Sequence, residues 1–200
     1  LNGDSISVEG VGATVSGSTA TIQSAGVYIL SGTLTDGQIV VDTDQDGTVR
    51  LILNGVSLSS STSAPIYVVN ADKVIIELVA GTTNTVSDAS TYVYASADAD
   101  EPDAAIFSAD DLTIYGDGAL IVNGNANDGI ASKDGLIIAG GTITVTAADD
   151  GIRGKDYLVV EGGTLSVTAQ GDGLKATNDT DASKGYLSIQ GGALTIVSGG

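Results

Sequence analysis

The chain has no cysteine, no histidine, no methionine and no tryptophan, and among 200 residues only seven are lysine or arginine. These absences remove thiol nucleophiles, imidazole bases, zinc sites built on Cys or His, and Ser/His/Asp triads. Carboxylates, Lys, Arg, Tyr and hydroxyls are left to carry any chemistry. Against the seven cations stand 25 Asp and Glu, a formal net charge of -18. Such a charge repels nucleic acid and anionic lipid and attracts divalent cations. Long apolar runs are missing too: Val, Ile, Leu and Ala are interrupted every few positions by Thr, Ser, Asp or Gly. No run approaches the roughly 20 apolar residues of a membrane span. A soluble chain is expected. The cysteine-free composition fits an exported bacterial protein, and Leu1 opens with no charged or apolar leader, so a leader is either already removed or never existed.

What is present is a core-forming composition, 42% hydrophobic, with an internal period. "GIASKDGLIIAGGTITVTAADD" (Gly129 to Asp150) aligns without a gap on "GIRGKDYLVVEGGTLSVTAQGD" (Gly151 to Asp172). A third copy runs from Gly173 to Gly200 with a polar insertion near Asn178 to Ser183, and an earlier copy from Ala105 to Asp128 is slightly longer. Within each unit, stretches such as "TITVT" (Thr142 to Thr146) alternate with period two, the mark of a strand. Gly-Gly and Asp-Gly pairs separate them. The expected fold is all-β: a right-handed parallel β-helix, a solenoid of about 22-residue coils, forming one domain over residues 1–200. Ile130, Ile152 and Leu174 would share one interior ladder, and Ile143, Leu165 and Leu194 another. A hairpin meander is the alternative, and it predicts no register between units. Gly200 falls one residue short of the next expected Asp-Gly, so at least one further C-terminal coil is expected.

Stacking sets the chemistry. Neighbouring coils about 4.8 Å apart would bring Asp128, Asp150 and Asp172 into one column of carboxylates. Adjacent charges at that spacing repel by roughly 1 kcal/mol in water and about 3 to 4 kcal/mol at an effective dielectric of 20. A counter-ion is wanted, and oxygen-only ligands favour calcium. Asp149 adds a carboxylate from the same coil. The competing reading is that the Asp-Gly pairs are simply turns. A second acidic stretch, "DTDQDG" from Asp42, places Asp42, Asp44, Asp46 and Gly47 at calcium-loop spacing, but Leu53 stands where an EF-hand has Glu, and strands flank it. A solvated loop between strands is the preferred reading there.

Five of the seven cations, Lys133, Arg153, Lys155, Lys175 and Lys184, lie between residues 131 and 184. Arg153 and Lys175 share one column, Lys133 and Lys155 the next but one. Either they neutralise the aspartates through exposed pairs worth well under 1 kcal/mol each, or they recognise an anionic polymer such as a chain of uronic acids. Tyr157 and Tyr186 occupy equivalent places on adjacent coils and could form a small stacking strip. Ala89 to Asp103 breaks the period and has three readings: a lid, a docking surface, or no role.

The opening "LNGDSISVEGVGATVSGSTATIQSAGVYILSGTLTDGQIVVDTDQDGTVRLILNGVSLSS" and the "ADDGIRGKD" and "GGTLSVTAQGDGLKATND" repeats resemble the bacterial secreted carbohydrate-binding β-helix domain, over essentially all 200 residues. The resemblance implies the parallel β-helix of the polysaccharide lyases, bound calcium, and binding of cellulose and pectic polymers rather than their cleavage. It implies Asp128, Asp149, Asp150, Asp156 and Asp172 as calcium ligands. A calcium-dependent pectate lyase, with Lys155, Arg153 or Lys175 as base, is one alternative. The carboxylates around those cations raise a Lys pKa and weaken it as a base. A structural protein whose coils stack end to end is the other. The expected partner is a plant cell-wall polysaccharide, acidic (polygalacturonate or pectin) or cellulosic, and the expected location is extracellular or the cell surface. Without Trp, a crystalline cellulose surface is the poorer fit.

Overall fold

The computed structural model describes residues 1–199. Among them the regular elements are strands alone. The first seven are β1 (Asn2–Gly3), β2 (Ala13–Ser16), β3 (Thr19–Ile22), β4 (Gly26–Leu34), β5 (Gln38–Asp42), β6 (Thr48–Ser59) and β7 (Ile66–Asn70). Then come β8 (Lys73–Leu78), β9 (Thr83–Ser87), β10 (Ala104–Ser108), β11 (Leu112–Gly116), β12 (Ala119–Gly124), β13 (Asp128–Ser132) and β14 (Gly135–Ile138). The last are β15 (Thr142–Ala147), β16 (Ile152–Gly154), β17 (Tyr157–Val160), β18 (Thr164–Ala169), β19 (Leu174–Ala176), β20 (Tyr186–Ile189) and β21 (Ala193–Ser198).

The chain is all-β, as the alternation predicts, but the expected right-handed solenoid of 22-residue coils is corrected. The strands form two sheets. The larger has 13 strands in the order β20, β17, β14, β11, β8, β6, β9, β12, β15, β18, β21, with β4 also on β6 and β1 on β4. It is one continuous sheet curled about β6 into a parallel half-barrel. The second sheet, β19, β16, β13, β10, β7, β5, β3, β2, faces it in a sandwich-like arrangement. The cause is local. The first half of β6, Thr48 to Leu53, pairs with β8, while Ser57 to Ser59 pair with β9, so one strand joins two arms. Between the halves Gly55 sits at φ 72°, where L side chains are disfavoured, and Asn84 Oδ1 accepts the freed N–H groups of Gly55 and Val56 at 3.0 Å each. The period is also uneven: Leu112 pairs with Val74 and Ile106 with Ile66, steps far longer than 22 residues. The β2–β3 pair is antiparallel.

Within these sheets the C-terminal repeats do stack in register. Ile130, Ile152 and Leu174 form one ladder, and Ile143, Leu165 and Leu194 another. Parallel pairing excludes the meander. In β15 and β18 every second residue is buried, leaving Thr142, Thr144, Thr146, Thr164, Ser166 and Thr168 outside. β10 and β13 differ, because every one of their residues is buried. Alternating side chains point to opposite faces of a strand, so both faces of this part of the smaller sheet are covered. The inner face packs into the main core through Ile106 and Ile130. The outer face forms a satellite cluster of Ala104, Phe107 and Ala131 against Tyr67. The C-terminal expectation at Gly200 falls outside the described residues.

Candidate functional site

The three aspartates do line up. Asp128 Oδ1 accepts the N–H of Asp150 at 3.0 Å, and Asp150 Oδ1 accepts the N–H of Asp172 at 2.8 Å. Each carboxylate thus caps the next repeat's turn. Their second oxygens face cations of the chain itself. Arg153 Nε lies 2.6 Å from Asp128 Oδ2 and its Nη2 lies 2.6 Å from Asp103 Oδ2. Lys175 Nζ bridges Asp150 Oδ2 at 2.9 Å and Asp172 Oδ2 at 3.0 Å. Asp128 and Asp150 are buried, 3% and 5% exposed, which makes these pairs very different from solvated surface bridges. Burial pushes the Asp128 carboxyl up to about 6 even though Arg153 opposes the shift. Asp103 is raised for the same reason, and its Oδ1 is buried with no hydrogen-bond partner. Burial works against the Arg153 charge, but Asp128 and Asp103 outweigh it and hold the guanidinium above its ordinary value. Hydrogen bonds to Asp150 and Asp172 likewise raise Lys175.

For a calcium ion the fit is poor as the corner is folded. Both oxygens of Asp128 and of Asp150 are engaged, and among the described residues no group of three or more acidic side chains converges to hold a metal. Asp149 is exposed, and it does share a direction with its neighbour. A Cβ on Gly171 would lie 2.5 Å from Asp149 Oδ1 and 2.7 Å from Asp150 Oδ1, so the bare glycine lets both carboxylates approach. Asp156 sits apart from the column. Its Oδ1 accepts Asn178 Nδ2 at 2.8 Å and its Oδ2 meets Lys184 Nζ at 2.5 Å. Burial alone would raise Asp156, but those two donors win and lower it. In the Asp42 to Gly47 loop, Asn70 Nδ2 donates to Asp44 Oδ1 at 2.7 Å and Asp72 Oδ2 accepts the Gly47 N–H at 3.0 Å, in keeping with a loop tied to the neighbouring turn.

The structure separates the proposed cations from the proposed tyrosines. Arg153 and Lys175 belong to the smaller sheet, in register with each other and with Ala131, Phe107 and Tyr67 on the outer face. Tyr67 and Phe107 meet edge to face, centroids 5.7 Å apart. Tyr157 and Tyr186 stack in the larger sheet, 5.6 Å apart at 19°, with Tyr186 47% exposed. Tyr157 lies across Gly135, where a Cβ would come within 2.0 Å of the ring. Lys133 is bound by Glu101, and Lys155 is exposed and makes no ion pair among the described residues. Sequence reasoning missed Glu101, Asp103, Tyr67 and Phe107. The period break at Ala89 to Asp103 was the available signal for the first two, and the aromatic content of "IYVVN" and "AAIFS" for the others.

The family described as carbohydrate-binding domain-containing protein matches residues 16–200. The chain belongs to this family. A carbohydrate-binding domain-containing protein of Acetivibrio thermocellus is 42% identical over 148 residues, which are 74% of this chain and 52% of that protein. The chain therefore spans about half the length of that curated relative. Among solved structures, the polysaccharide lyase-like protein from C. thermocellum, a gadolinium derivative, is 40% identical and superimposes with a TM-score of 0.97, covering 99% of this chain and 80% of that one.

Proposed function

We propose that the chain is a secreted, non-catalytic module that binds an acidic cell-wall polysaccharide, a uronate chain of the polygalacturonate type, along the outer face of the smaller sheet. One observation carries the reading: Arg153 holds two separate carboxylates at 2.6 Å each, so this face already contains a receptor for paired carboxylates. Lys175 continues the column and Lys133 and Lys155 flank it. Membership of a carbohydrate-binding family supports a saccharide as the partner. Among the described residues no helix is long and apolar enough to cross a membrane.

Cleavage is the weaker alternative. A β-eliminating base needs a lysine or arginine of lowered pKa, whereas Arg153, Lys175, Lys133 and Lys184 are all shifted upward by their carboxylates. Tyr157 and Tyr186 offer a second, smaller platform on which a sugar ring could stack, and a neutral chain such as cellulose would use it. Calcium also belongs to this reading as a competitor of Lys175. The ammonium stands between Asp150 and Asp172, and a hard cation bound there with Asp149 would displace it.

The test is calorimetric titration with oligogalacturonates and with cello-oligosaccharides, with and without calcium, beside an absorbance assay for unsaturated uronide product. Salt-sensitive binding of the uronate without product is expected. Product formation, or binding of the neutral oligomer alone, would overturn the proposal.

A further inference from the structure

The segment from Asp88 to Asp103 interrupts the repeat and is fixed to the rest of the molecule at both ends. At its start Asp88 accepts Tyr92 OH at 2.6 Å and the Asn125 N–H at 2.5 Å, and Val93 N donates to Thr62 O at 2.8 Å. At its end Glu101 binds Lys133, Pro102 is buried, and Asp103 binds Arg153. Lys133, which Glu101 binds, follows β13, whose Ala131 packs in one cluster with Phe107 and Tyr67, so this end lies at that cluster. Phe107 and Ala131 point outward, yet are 1% and 0% exposed. An element must therefore lie over them, and the contacts at Lys133 and Arg153 place residues 101–103 there.

We infer that this strap is an internal pseudo-ligand: Glu101 and Asp103 present their carboxylates to Lys133 and Arg153 where the carboxylates of an acidic polysaccharide would bind, so the free protein holds its own acidic face closed. This rests on the uronate reading above. The exchange is balanced in charge, because each incoming uronate carboxylate replaces a strap carboxylate at the same cation. It also relieves a defect of the closed state. Asp103 Oδ1 is buried without a hydrogen-bond partner, whereas the released strap would give that oxygen to water. The portion from Ala95 to Asp98 is exposed throughout, and the strap's last anchors are those two ion pairs, buried Pro102 and the Asp128 N–H donated to Asp103 O at 3.1 Å. Release would uncover Tyr67 and Phe107, the aromatic pair in register with Arg153, as a surface for a sugar ring.

The experiment compares oligogalacturonate affinity for the wild type and for Glu101→Gln/Asp103→Asn. A charge-matched control, Glu9→Gln/Asp179→Asn, alters two exposed carboxylates outside the strap and outside any ion pair among the described residues. Closure reduces apparent affinity by the fraction of molecules that are open, so the strap variant should bind about tenfold more tightly than the control. Hydrogen exchange on the unaltered protein gives an independent readout: adding oligogalacturonate should speed exchange across residues 95–103. Equal affinity of strap variant and control, with strap exchange slowed or unchanged by ligand, overturns the pseudo-ligand while leaving uronate binding intact. No binding by any of the three proteins overturns both.

Discussion

The Asp128 carboxylate accepts the backbone N–H of Asp150, 22 residues further on, and Asp150 repeats the contact with Asp172. The column is thus a chain of turn caps before it is anything else. Asp150→Ala leaves the part-buried Asp172 N–H without its acceptor and Lys175 with half its pairing. Urea unfolding should show a loss of about 2–4 kcal/mol. Asp149→Ala, one residue away but exposed, should fall within about 0.5 kcal/mol of wild type. Equal losses at the two positions would mean that the caps contribute nothing specific.

Arg153 neutralises Asp128 and Asp103 together. Arg153→Met keeps the aliphatic stem but strands two carboxylates, and should cost about 3–5 kcal/mol. Arg153→Lys should recover only part of that, because one ammonium cannot reproduce the two-pronged geometry. Full recovery by lysine would show that charge alone matters.

Asp128 is held at about 6 by burial, above the ordinary carboxylate value of about 3.9. Between those two values the folded state binds more protons than the unfolded state. The contribution of Asp128 is therefore fully present below about pH 4 and is lost as pH rises through about 6, amounting to at most about 3 kcal/mol. The stability difference between wild type and Asp128→Asn, followed from pH 4 to 7, should fall with pH and then level off. A difference that rises or stays flat contradicts the assignment.

Tyr157 and Gly135 share one space. Gly135→Ala should destabilise by about 1–3 kcal/mol, since its Cβ would enter the ring. In a Tyr157→Ala background the same substitution should be nearly neutral, a coupling that a double-mutant cycle reads directly.

The proposed calcium would have to displace the Lys175 ammonium from between Asp150 and Asp172. Calcium should raise the Tm of Lys175→Gln by more than that of wild type, because metal binding the native state stabilises it by mass action. Identical shifts would place any calcium away from Asp150 and Asp172.

Much of this molecule was legible because period-two alternation and a fixed repeat place residues by arithmetic. The Ile130 and Ile143 ladders and the aspartate column follow from them. What arithmetic cannot give is where a long side chain reaches. The repeat places Arg153 beside the column and leaves open whether it neutralises aspartates or meets a polymer; the side chain bends back to Asp128 and across to Asp103, from a segment outside the repeat. The curl of the larger sheet escaped for a related reason. It depends on one glycine within β6 and on Asn84 of β9, which caps the bend, and a strand pattern reads the same on either side of such a bend.

The bend in β6 has a bearing on how the protein is made. From that strand onward each repeat adds one strand to each arm of the curled sheet and one to the smaller sheet, always beside strands that precede it in the chain. From β7 onward no strand has to wait for a partner not yet synthesised. Assembly can follow the order of translation at an advancing front, each repeat nucleated by the last. At the growing end only the newest rung exposes unpaired edges, which limits the interval in which that end could pair with a neighbouring chain.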